Sequence, residues 1–245
     1  MWYLDWQFWS TAVAFLALAL SQMPPLKSLL KRGKVEIKKH TMILVHHSIG
    51  TPNVNIFVSL KNIGGRDLNV DALQVQLTRD GTELPLLTAT GYFADFNSQA
   101  MTMFTPLELG SGQAWAHTVN FHAKWNRTQQ QKFRAISSKV RDTINEKLKQ
   151  GPLPNGELHE ANLEQVEEIH SQFMNNFKWL PGEYSGLLNV FDSNNKIIMT
   201  DEFKFTIFES ESNELKAGVD DYRYGYGIYL PISQKQQGIW IELVR

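Results

Sequence analysis

From Lys34 onward the chain repeats one pattern: apolar residues at every second position, in short runs separated by turn residues. Successive side chains of a strand point to opposite faces, so this period builds sheets with one dry and one wet face. Val54, Ile56, Val58 and Leu60 alternate with Asn55, Phe57, Ser59 and Lys61. Leu73, Val75 and Leu77 repeat the pattern after a phase slip near Asp71-Ala72, which predicts a β-bulge. Trp115, His117, Val119 and Phe121 repeat it again. Gly50-Thr51-Pro52-Asn53 and Asn62-Ile63-Gly64-Gly65 supply turns, and Asp80-Gly81 predicts a tight hairpin. Pro85 lacks an N–H and marks the run from Leu84 to Thr90 as an edge strand.

The alternation gives way to a helical period at about residues 126–178. Phe133, Ile136, Val140, Ile144 and Leu148 fall at steps of three and four, and Asn126 or Thr128 can cap that helix. A breaker at Gly151–Gly156 separates it from a second stripe, Leu163, Val166, Ile169, Phe173 and Phe177. Each helix has one apolar face, so each packs against something.

After Pro181-Gly182-Glu183 the strand pattern resumes with Tyr184, Gly186, Leu188 and Val190. On Tyr184, placed like a tyrosine corner, and on the Asn62–Gly65 turn, residues 34–208 resemble a bacterial immunoglobulin-like β-sandwich domain. The resemblance implies a mainly β fold of two packed antiparallel sheets, here with an inserted helical pair. The chain departs from it in having no cysteine. Residues 209–245 read as an aromatic β extension. In it Tyr222, Tyr224 and Tyr226 alternate with Arg223, Gly225 and Gly227, and Ile239 and Ile241 alternate with Trp240 and Glu242.

Ahead of the β pattern lies a different segment, residues 1–33. Met1–Leu20 is apolar and carries Trp2, Trp6 and Trp9 at one end, with Phe15 and Leu16 in its middle. Pro24-Pro25 and the cations Lys27, Lys31 and Arg32 follow it. Interfacial tryptophans, an apolar stretch and a basic collar predict a single transmembrane helix. The positive-inside rule then puts the N-terminus outside the inner membrane and the body in the cytoplasm. The net charge of −1 conceals this asymmetry. Residues 1–40 hold Lys27, Lys31, Arg32, Lys34, Lys38 and Lys39 against Asp5 and Glu36, about +4, which leaves about −5 for the rest. A near-neutral total argues against nucleic acid as the primary ligand.

Chemical motifs are sparse. No cysteine can bind zinc, and no phosphate loop, dinucleotide fingerprint or Gly-x-Ser-x-Gly elbow occurs. His40, His46 and His47 lie close in sequence, but His46 and His47 are neighbours on a strand and point to opposite faces, which argues against a shared metal site. Glu167-x-x-His170 has the spacing of a di-iron ligand pair but lacks the second pair that such a centre needs. No catalytic, metal or cofactor site is therefore assigned. Tyr222, Tyr224, Tyr226, Tyr229 and Trp240 are the candidate partner-binding residues, because aromatic rings dominate interface cores. The expectation is a membrane-tethering or scaffolding subunit that binds a protein partner. The alternatives are a membrane-perturbing effector of a bacterial defence or toxin system that self-associates, and an enzyme without a recognisable motif.

Overall fold

The computed structural model describes residues 6–22, 33–94 and 100–244. Helix α1 (Trp6–Gln22) comes first. Strands β1 (Val35–Ser48), β2 (Thr51–Asn62), β3 (Leu68–Val70), β4 (Ala72–Arg79), β5 (Thr82–Glu83) and β6 (Leu87–Phe93) follow, then β7 (Met101–Met103), β8 (Leu107–Leu109) and β9 (Ala114–Ala123). Helices α2 (Arg127–Leu148) and α3 (Leu163–Asn176) interrupt the strands. The chain ends with β10 (Gly182–Phe191), β11 (Ile197–Ile207), helix α4 (Glu209–Lys216) and β12 (Ile239–Glu242).

Ten of the strands form one antiparallel sheet in the order β11-β10-β4-β6-β9-β2-β1-β12, with β5 and β7 paired beside it, and β3 and β8 form a second, two-stranded one. The two ends of the larger sheet meet. Val244 N donates to Lys204 O at 2.8 Å, which stitches the chain just past β12 to β11. Lys39 adds a second stitch, pairing with Asp201 and donating to the Glu202 carbonyl at 2.8 Å. The dry faces therefore close on one another around a single core that includes Ile43, Ile56, Val75, Phe121, Leu188 and Phe205. This nearly closed barrel replaces the expected sandwich of two sheets. Alternation specifies one dry face per strand and is blind to whether that face closes on itself or on a second sheet.

Three local expectations change with it. The slip at Asp71 is a change of sheet: β3 pairs β8 in a separate two-stranded sheet while β4 joins the barrel, and Asp71 N donates to Phe191 O at 2.8 Å. Pro85 lies in the connection before β6, which is flanked by β4 and β9 and is no edge. Among the described residues of the tail only β12 forms a strand; α4 and a 3-10 turn at Val219–Tyr224 stand where the aromatic β extension is expected. The Asp80-Gly81 hairpin forms with both residues at positive φ, 47° and 80°.

The membrane span is also overturned. Helix α1 has 17 residues. At ~1.5 Å per residue it is about 26 Å long, short of a hydrocarbon core of about 30 Å. Among the described residues no helix is long and apolar enough to cross a membrane, which removes the basis for the single-pass topology and the inner-membrane location. Trp6, Trp9, Phe15 and Leu16 lie on α1, whereas Trp2, Lys27, Lys31 and Arg32 fall outside the described residues.

Helices α2, α3 and α4 close the barrel end marked by the β1–β2 turn. Ile136, Val140 and Ile144 of α2 and Ile169 and Phe173 of α3 are buried, while Leu148 and Leu163 at the stripe ends are exposed. Gly50 sets how closely α3 approaches. Its φ is +78°, and a Cβ there would strike the Phe173 carbonyl and lie 2.9 Å from Phe177 N. Helix α2 starts at Asn126: Asn126 Oδ1 accepts from Gln129 N at 2.8 Å, and Gln129 Oε1 accepts from Asn126 N at 2.9 Å. Asn126→Ala is expected to lower stability by about 1 kcal/mol, read as a shift of the urea midpoint at constant slope.

Candidate functional site

A mainly apolar recess lies on the outer barrel wall, across β12, β1, β2 and β9. Ile239 and Ile241 point into the core, so Trp240 between them points out and is 59% exposed. On β1, Ile43 and Val45 are fully buried and Met42 faces outward at 37%. On β2, Ile56 and Val58 are buried and Phe57 faces outward at 41%. Pairing then brings these strands side by side, with Leu44 opposite both Trp240 and Asn55, and Phe57 opposite Thr118. A register shift in β1 between Lys39 and Ile43 turns His40 to the rim, where its Nδ1 accepts from Met42 N at 3.1 Å. His40, Met42, Asn55, Phe57, Thr118 and Trp240 line a shallow recess of about 580 Å³.

Beside the apolar side chains, the amides are tied up among themselves. Asn120 Nδ2 donates to Asn55 Oδ1 at 2.7 Å, and Thr90 Oγ1 donates to Asn120 Oδ1 at 2.9 Å. His46 Nε2 stands 3.4 Å from Asn55 Oδ1. Burial pulls the His46 pKa down to about 4 against the opposing hydrogen bond to Asn55, so the imidazole is neutral at physiological pH. The lining of the recess carries no carboxylate or ammonium group, although Glu242 pairs with Met42 at its border, and this suits contact with an apolar side chain better than proton transfer or anion binding.

The tyrosines expected to share this surface do not. Tyr222 is 2% exposed and packs on Phe173 at a ring distance of 6.1 Å in the end cap. Tyr224, Tyr226 and Tyr229 are half-buried in the same cap, where the Tyr229 ring lies on Gly225. Trp240 stands apart on the barrel wall. Tyr184 is a core residue whose hydroxyl donates to Leu180 O at 2.6 Å and lies 3.1 Å from Lys178 O. These bonds tie the ring to the backbone just upstream of its own strand, and burial raises its pKa to about 12.

The histidines serve the fold. His47 points inward and His46 outward, as their adjacency requires. His47 Nε2 donates to Leu215 O at 2.7 Å, which leaves Nδ1 to accept from Gly50 N at 3.4 Å. His170 of the Glu-x-x-His pair lies 3.3 Å from the Val219 carbonyl. Among the described residues no group of three or more His, Cys, Asp or Glu is placed to hold a metal.

Reading from the sequence missed Met42 and Phe57, and considered His40 only as a metal ligand beside His46 and His47. The signal was present in the first two. Each is a large apolar residue on the polar phase of its own strand, as is Trp240 on β12. No protein family model and no curated protein matches the chain.

Proposed function

We propose that this chain is a docking module, a scaffolding subunit whose capped barrel holds the Trp240 recess rigid for an apolar element of a protein partner. One observation carries this reading. Trp240, Met42 and Phe57 each face outward from a strand whose neighbouring residues fill the core, and strand pairing makes the three contiguous. Single exposed apolar residues are ordinary, but a contiguous patch on a rigid wall marks an interaction surface. Trp anchors in such patches supply a large share of binding energy.

A photo-crosslinking amino acid at position 240, at position 57, or at the control position Ile197 would test it in cells that produce the chain. Positions 240 and 57 are expected to yield the same adduct, at least tenfold above Ile197, and Met42→Glu should abolish both. Adducts no stronger than the control would overturn the reading.

A further inference from the structure

A protein segment meets a surface most often as an added strand, a docked helix or a polyproline II stretch. The polar groups of the Trp240 recess choose among the three. The Trp240 indole N–H can only donate, and it has no hydrogen-bond partner among the described residues. His40 Nδ1 accepts from Met42 N, so the neutral ring carries its proton on Nε2 and is a second donor at the rim. Asn55 Oδ1 already accepts from Asn120 Nδ2 and has His46 Nε2 at 3.4 Å, which leaves the Asn55 Nδ2 hydrogens as a third donor. Among the lining side chains only the Thr118 hydroxyl offers a free acceptor of ordinary strength.

The recess therefore matches an occupant that brings carbonyl oxygens and apolar surface but few N–H groups. An added strand needs a free sheet edge, whereas the recess lies on a face whose four strands pair in sequence, β12 with β1, β1 with β2 and β2 with β9. A helix keeps its carbonyls in its own ladder and leaves the three donors unmatched. A proline-rich segment fits. Proline has no N–H, the carbonyls of polyproline II make no internal hydrogen bonds, and its rings dock on aromatic side chains. Length agrees as well. From β12 to β9 is three strand spacings, about 14 Å, which about five residues of polyproline II span at ~3.1 Å each.

We propose that the occupant of the Trp240 recess is a proline-rich segment in polyproline II conformation, whose backbone carbonyls accept from Trp240 Nε1, Asn55 Nδ2 and His40 Nε2. Its rings pack on Trp240, Phe57 and Met42. This rests on the docking reading and adds the chemistry of the partner.

Titrating decaproline, and separately an amphipathic leucine–lysine helix, into the full chain labelled with nitrogen-15 tests this. The readout is the Trp240 indole N–H resonance, identified by its loss in Trp240→Phe. Decaproline is expected to bind saturably in the submillimolar range and to move that resonance downfield, as donation to a carbonyl does. Trp240→Phe keeps an aromatic ring and removes the donor. Its affinity for decaproline, followed on the Asn55 side-chain amide, should fall about five- to tenfold. Met42→Glu should abolish binding. Unchanged affinity in either variant would overturn the proposal. A helix that moves the Trp240 resonance where decaproline does not would overturn it too, and would leave the docking module standing. Silence from both peptides would also overturn it, and crosslinking from position 240 would then decide the docking reading by itself.

Discussion

Trp179→Ala is expected to destabilise the barrel by about 3–5 kcal/mol, the range for emptying a buried aromatic site. Trp179 is completely buried and joins three elements at the capped end. Its Nε1 donates to His46 O of β1 at 2.7 Å. Its own carbonyl accepts from Ser212 Oγ of α4 at 2.7 Å. Its ring lies 5.8 Å from the ring of Tyr184 on β10. Alanine keeps the carbonyl and its bond to Ser212, but it removes the ring and leaves His46 O without that donor. Domains are stable by only about 5–15 kcal/mol, so a large part of the margin goes. The thermal midpoint should fall by roughly 10 °C, at about 2–4 °C per kcal/mol for a body of this size. Trp179→Phe separates the contributions: it keeps most of the ring and loses the N–H, at about 1–2 kcal/mol. An alanine variant within 1 kcal/mol of the parent in urea would show that the cap and the wall are not joined through this residue.

What was legible in the sequence follows from the range of each interaction. The dry faces of β2, β4 and β9 could be read because a period of two is a local property. Barrel closure could not be read, because it rests on contacts such as Lys39 with Asp201 and Val244 with Lys204, between residues far apart in the chain. The tail was misread for a different reason. Tyr222, Tyr224 and Tyr226 do alternate with small or polar residues, but Gly225 and Gly227 adopt φ of 86° and 70°. A glycine at positive φ turns the chain, and two of them two residues apart build a compact coil where side-chain pattern alone suggests a strand. The recess was half legible. Met42, Phe57 and Trp240 each break the phase of their strand, a visible signal with no address until register placed β12 beside β1 and β1 beside β2.

Lowering the pH from 6.5 to 5 is expected to cost the fold about 2 kcal/mol, and His46 is the main cause. Its pKa falls from the ordinary 6.5 to about 4 in the folded protein because burial penalises the imidazolium. Between those values the unfolded chain binds the proton and the folded chain does not. Stability is thus complete above pH 6.5 and is lost as pH falls toward 4. His47 and His122 are shifted the same way by burial, and His122 Nδ1 is buried without a hydrogen-bond partner, so both steepen the slope. The charges of His46, His47 and His122 would also oppose one another, since His46 feels both of the others. Glu214 and Lys235 line the cleft that His46 and His47 share with α4. Carboxylates contribute little above pH 5, so the interval from 6.5 to 5 isolates the histidines. Urea unfolding at half-unit steps should show the slope in the parent chain and well under half of it in His46→Asn. The asparagine keeps a polar group beside Asn55 and removes the titration. A parent whose stability is flat over that interval would mean that His46 takes up its proton within the folded wall at no cost. In that case the burial around the Asn55–Asn120 pair would be looser than the structure shows.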